Sequence, residues 1–122
     1  MSKTFSAILI DPLHQSITGI EVTASGSRLN LNDFLSFPGH ECLGTEAIGL
    51  GDRHYLFVDG EAALEGRLPR WTLVGTEREI DILGRGLIVR STPAGNNTNV
   101  TWSADKMKRH VRWHDRAAAM AW

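Results

Sequence analysis

The chain has a single cysteine, Cys42. It therefore cannot form an internal disulfide, and this usage suits a reducing compartment. Long hydrophobic runs are missing as well. The opening MSKTFSAILID holds one Lys and a very short apolar segment, too little for a signal peptide or a membrane span. A cytoplasmic protein without membrane contact is the expectation. Internal repeats, low-complexity tracts and linkers are absent, and no catalytic or cofactor motif stands out, so no cofactor or metal is expected. Asn96-Asn97-Thr98 and Asn99-Val100-Thr101 match glycosylation sequons, but in a cytosolic chain they read as loop polarity.

What remains is ordinary for a globular protein. At 122 residues one domain is expected, spanning residues 1–122. A domain of this size buries roughly two-thirds of its unfolded surface, enough for a core without staples. The net charge of −1 hides an asymmetry. Residues 1–100 carry 8 Lys and Arg against 12 Asp and Glu, whereas residues 101–122 carry 5 against 2. A basic end on an acidic body can bind a polyanion or dock on its own body.

Extended segments punctuate the chain. Phe5–Ile10 is an apolar run broken by Asp11-Pro12, and Ile17–Thr23 resumes a β-branched pattern. Leu31, Phe34 and Leu35 have helical spacing, with Asn30 or Asn32 as cap and Pro38-Gly39 as stop. Glu46–Leu50 reads as a strand ahead of a Gly51-Asp52 turn. Tyr55–Val58 is aromatic and β-branched, and Asp59-Gly60 after it is a type I′ turn signal. Glu61–Glu65 fits a helical turn as well as a strand. Arg70–Val74 and Leu87–Val89 complete the strands. Leu56, Val58, Ile88 and Ile10 are the expected core.

The end of the chain reads as a helix. Ser103 is a cap and Asp105 favours the first turn. Ala104, Met107, Val111, His114, Ala118 and Trp122 recur at steps of three and four, with Lys108, Arg109, Arg112 and Arg116 opposite. The expected class is α+β: a mainly antiparallel sheet of four to six strands, a short helix and a C-terminal amphipathic helix. This order, carried by Ile8–Pro12, Tyr55–Gly60 (YLFVDG) and Ile82–Val89 (ILGRGLIV), resembles a family of small proteins of unknown function from phage and bacterial genomes. The resemblance covers roughly residues 5–115. It implies a mobile-element setting and a non-enzymatic role, with no functional residue to carry over.

Candidate chemistry is sparse. His110 and His114 stand four apart, a spacing for shared metal ligation, but Val111 replaces the Glu of a metalloprotease motif, and a core plus a border histidine accounts for them better. His40 and Cys42 face the same side of an extended segment and are the least unfavourable catalytic pair, although a buried apolar thiol is the simpler account. His54 has no partner nearby in sequence. Gly84-Arg85-Gly86 lacks the Lys and helix start of a phosphate loop and reads as a bulge or a close backbone approach. Glu77, Glu79 and Asp81 read as an exposed edge or loop. Of the four tryptophans, Trp71, Trp102, Trp113 and Trp122, Trp113 lies beside Arg109, Arg112 and Arg116, as a partner hot spot or stacking platform would. The expectation is a small accessory protein of phage type that binds a protein, a second copy or a small ligand. The binding residues would be Lys108, Arg109, Arg112, Trp113 and Arg116. A nucleic-acid module on the closing helix is the alternative, and a His/Cys enzyme the third.

Overall fold

In a computed structural model of the chain, the residues described are 2–25, 34–36, 42, 44–60, 69–75 and 79–114. Two antiparallel sheets dominate them. The larger contains β1 (Ser2–Asp11), β2 (Ser16–Ser25), β3 (Thr45–Gly51), β4 (His54–Asp59), β7 (Gly86–Ser91) and β8 (Asn97–Thr98). Its order is β2-β1-β7-β4-β3, with β8 added to the end of β7. The smaller contains β5 (Arg70–Leu73), β6 (Ile80–Leu83) and β9 (Val111–Trp113), in the order β6-β5-β9. One short helix, α1 (Ala104–Lys108), precedes β9.

The uninterrupted apolar runs have a direct cause. A strand that alternates faces needs apolar residues at every position only when both faces are covered. Ile8, Ile10, Leu56, Val58 and Ile88 on one face of the large sheet pack with Trp71, Leu73 and Ile82 of the small sheet and with Met107 of α1. Phe5, Ala7, Leu87 and Val89 on the other face pack with Val22, Leu35 and Cys42. All four expected core residues are buried. Trp71 fills the space between the sheets, and its Nε1–H donates to Gly84 O at 3.0 Å. A Cβ on Gly86 would meet Leu56 at 2.8 Å and Trp71 at 3.0 Å, so only glycine lets β7 approach so closely. The Gly-Arg-Gly stretch is thus the close-approach element that its sequence suggests.

The α+β expectation is overturned. The described chain is mostly antiparallel sheet with one short helix, closer to all-β, and the amphipathic C-terminal helix is not formed across residues 104–114. The start is as expected: Ser103 Oγ accepts from the Lys106 N–H at 3.0 Å, and Asp105 sits in the first turn. The helix then stops at Lys108. Val111-Arg112-Trp113 alternates inward and outward, a period of two hidden inside the helical stripe. It pairs with β5, Leu73 against Val111 and Trp71 against Trp113. Satisfying the open backbone edge of β5 outweighs local helix propensity, which is weakest at β-branched and aromatic positions. Ala118, Arg116 and Trp122 lie outside the described residues, as do Asn30, Leu31, Asn32, Pro38-Gly39 and Glu61–Glu65. Phe34 and Leu35 are helical.

The type I′ turn also lies elsewhere than its strongest sequence signal. Neither Asp59 nor Gly60 has positive φ, while Asp52 (φ 48°) and Arg53 (φ 60°) do, at the other end of β4. They join β3 to β4, next to a register shift between Gly49 and Gly51. Arg in the left-handed region is strained by its Cβ, and the second central position of this turn favours Gly. Arg53→Gly is expected to raise stability by about 0.5–1 kcal/mol, read as a higher urea midpoint at unchanged slope. A lower midpoint would show that the Arg53 side chain contributes more than its backbone strain costs.

Candidate functional site

A pocket of about 190 Å³ opens where four separate segments meet. Leu50 comes from the irregular end of β3, Leu73 from the end of β5, and Val74 and Gly75 follow it. Trp102 precedes the Ser103 cap, Lys106 and Met107 belong to α1, and His110 lies in the turn before β9. The wall is pinned by a reciprocal pair. Val74 N–H donates to His110 O at 2.8 Å, and His110 Nδ1 bonds Val74 O at 3.1 Å. A carbonyl only accepts, so Nδ1 carries the proton. Gly75 (φ +86°) permits this arrangement, since a Cβ there would overlap the His110 ring.

Trp102 is held from both faces. The His54 ring stacks on it at 3.8 Å, with 4° between planes, and Lys106 Nζ stands 4.7 Å from its ring centroid on a cation–π contact. His54 is fully buried. Its Nδ1–H donates to Asp52 O at 2.9 Å, which leaves Nε2 to accept the Thr101 N–H at 3.3 Å. Burial lowers its pKa below the ordinary 6.5, and the nearby charge of Arg90 adds to this. The Asp52 carbonyl and carboxylate oppose the shift without cancelling it.

A depressed histidine pKa means that the unfolded chain binds the proton more readily. The stabilisation is complete above pH 6.5 and is lost as pH falls below 6.5 through the folded-state value. Thermal midpoints measured from pH 8 to 5 should be level at first and then decline, and His54→Gln should flatten that decline. An unchanged decline in the variant would assign it to other groups. Asp11 acts only at lower pH. Burial alone would raise its pKa, but hydrogen bonding from His14, the charge and hydrogen bond of Arg85, and the Leu13 N–H together hold it below 3.8.

Two other polar clusters are structural in character. Asp11 closes the β1–β2 turn, accepting from Leu13 N–H at 3.0 Å, His14 Nδ1 at 2.8 Å and Arg85 at 3.2 Å. Thr72 Oγ1 donates to Asp81 Oδ1 at 2.7 Å and meets His114 Nε2 at 2.7 Å. A nucleophile must give its proton to the histidine, whereas this hydroxyl gives it to Asp81 and accepts from Nε2. Thr72 is also fully buried, so it joins β5, β6 and the end of β9 and does not attack a substrate.

The residues singled out in the sequence are dispersed. His110 and His114 engage different partners, Val74 and Thr72, and do not share a helix. Cys42 is buried and its thiol donates to Gly44 O at 3.3 Å, while His40 lies outside the described residues. Lys108 pairs with Asp105 at 3.1 Å. Arg112 forms a bidentate pair with Glu79 at 2.9 and 3.1 Å, whose hydrogen bonds hold the Glu79 carboxyl below its ordinary range. Arg109 is exposed at the helix end, and Trp113 is half-buried against the core shared by the sheets. Arg116 lies outside the described residues. Among the described residues no three His, Cys, Asp or Glu side chains converge to hold a metal ion, and no helix is long and apolar enough to cross a membrane.

The pocket was not visible in the sequence as a unit. Trp102 stands out only as a residue type, His110 only by its spacing from His114 and Leu50 only as the end of a strand, while Lys106 and Gly75 carry no signal. Comparison with protein-family models, with curated proteins and with solved structures finds no match. The resemblance to small phage and bacterial proteins gains no support from these comparisons.

Proposed function

We propose that this protein binds a small molecule in the pocket between Trp102 and His110. The composition of that pocket carries the reading. Leu50, Leu73, Met107 and Trp102 supply apolar surface, and among the described residues Lys106 and His110 are the titratable ones lining it. Ligand sites are concave and mostly apolar, with a few placed polar groups. A cavity of about 150 Å³ can hold benzene, so one of about 190 Å³ suits a ring-sized molecule better than a large cofactor. The wall is also preorganised. Trp102 is clamped by His54, and His110 is fixed to Val74. A rigid site loses less freedom on binding.

A protein or nucleic-acid interface on the basic residues has less in its favour. Two of them, Lys108 and Arg112, are occupied by Asp105 and Glu79, and Arg112 lies on β9 and not on a helix with Lys108 and Arg109.

Filling the pocket is the direct test. Ligand binding to the folded state raises the thermal midpoint. A panel of ring-sized metabolites at millimolar concentration should contain members that raise the midpoint of the unaltered protein. The same members should leave a folded Leu50→Trp variant unmoved. A panel without effect, or equal effects on both proteins, would refute the proposal.

A further inference from the structure

We infer that the ligand of this pocket is a small ring-bearing carboxylate whose charge is taken by Lys106; this rests on the small-molecule reading above. Among the described residues, the lining of the pocket includes a cation and no acid. The nearby cations are matched differently, since Lys108 has Asp105 at 3.1 Å and Arg112 has Glu79 at 2.9 Å. Lys106 has no carboxylate partner among the described residues. Its ammonium instead rests over the Trp102 ring at 4.7 Å. A flexible ammonium on an exposed ring face moves readily to a carboxylate, the stronger partner.

His110 spends its Nδ1–H on Val74 O. That leaves Nε2 as the remaining polar atom of the ring. We assign charge recognition to Lys106, whose ammonium stands in the lining over Trp102. A phosphate is recognised by several donors, commonly a bidentate Arg or a row of backbone N–H groups. One ammonium beside an apolar surface fits a singly charged carboxylate on an apolar body better. Leu50, Leu73 and Met107 provide that surface for a ring.

Three probes of one shape separate the possibilities: benzoate, the neutral benzamide and the cationic benzamidine. Each is titrated by ligand-observed NMR against the unaltered protein, Lys106→Gln and Leu50→Trp. Lys106 is exposed, so its replacement should keep the protein folded and lower the thermal midpoint by no more than its cation–π contact with Trp102 contributes. Benzoate should bind at least about tenfold more tightly than benzamide, with benzamidine weakest. Lys106→Gln should make benzoate and benzamide equal, and Leu50→Trp should abolish both. Equal binding of benzoate and benzamide to the unaltered protein, or a preference for benzamidine, would overturn the carboxylate assignment and leave the pocket reading standing. Benzoate binding that survives Leu50→Trp would place the anion elsewhere and overturn the assignment. Failure of all three probes to bind would count against the assignment and the pocket reading together.

Discussion

Replacement of Trp71 by Ala is expected to cost about 3–5 kcal/mol, a large share of the about 5–15 kcal/mol by which a domain is ordinarily stable. The side chain is fully buried and is the largest group in the core shared by the sheets. Its contacts include Gly86 of the large sheet, while its backbone belongs to the small one. Removing it leaves a cavity between two β-layers whose separation is set by their own hydrogen bonding, so collapse is limited. It also deprives Gly84 O of its indole donor. Trp71→Phe isolates that second part. It keeps most of the ring and should cost less than the alanine variant. Urea unfolding of both variants checks the order. An alanine cost below about 1 kcal/mol would mean that the two sheets do not share this core.

Ile88→Ala is the second large effect, expected at about 2–5 kcal/mol. Ile88 lies opposite Ile8 of β1 and Leu56 of β4, at the centre of the large sheet, and is fully buried. No edge strand or loop can move in to replace the lost methyl groups. Ile88→Val removes only one carbon and should cost about 0.5–1.5 kcal/mol. The ratio of the two costs reports the rigidity of the site. A value for Ile88→Ala near that for Ile88→Val would show a relaxed, solvent-accessible position, at odds with the central placement of β7.

The strands that were legible in the sequence share a physical feature. β1 and β7 are short unbroken apolar runs between Pro or Gly punctuation, and burial on both faces is what such runs signify. β4 and β5 carry aromatic and β-branched residues in the same manner. β9 was misread because Val111, Arg112, Trp113 and His114 satisfy two periods at once. The choice between them depends on the open edge of β5, some forty residues away, which no local pattern encodes. The same non-locality hid the pocket. Its walls come from β3, β5, the residues before α1 and the turn after it, and no two of these segments announce one another. The turn at Asp52-Arg53 was located only by Gly51-Asp52, since Arg is a poor marker for a left-handed residue.

The basic end illustrates how a composition signal dissolves in three dimensions. The charge asymmetry of residues 101–122 is real, yet Arg112 meets Glu79 on the neighbouring small-sheet surface and Lys108 meets Asp105 within its own helix. Both pairs are exposed, so their contribution to stability is small and screened by salt. Their more useful consequence is by contrast. Lys106 is left as the cation at an apolar recess.

The measurement that bears most directly on the account is fluorine NMR of the protein labelled with 5-fluorotryptophan. The four tryptophans give four resonances, assigned by single Trp→Phe variants. Trp102 lines the pocket, whereas Trp71 is sealed in the core. A molecule that raises the thermal midpoint should move the Trp102 resonance in a saturable way and leave Trp71 in place. A midpoint shift with a stationary Trp102 resonance would contradict the assignment of this pocket as the binding site.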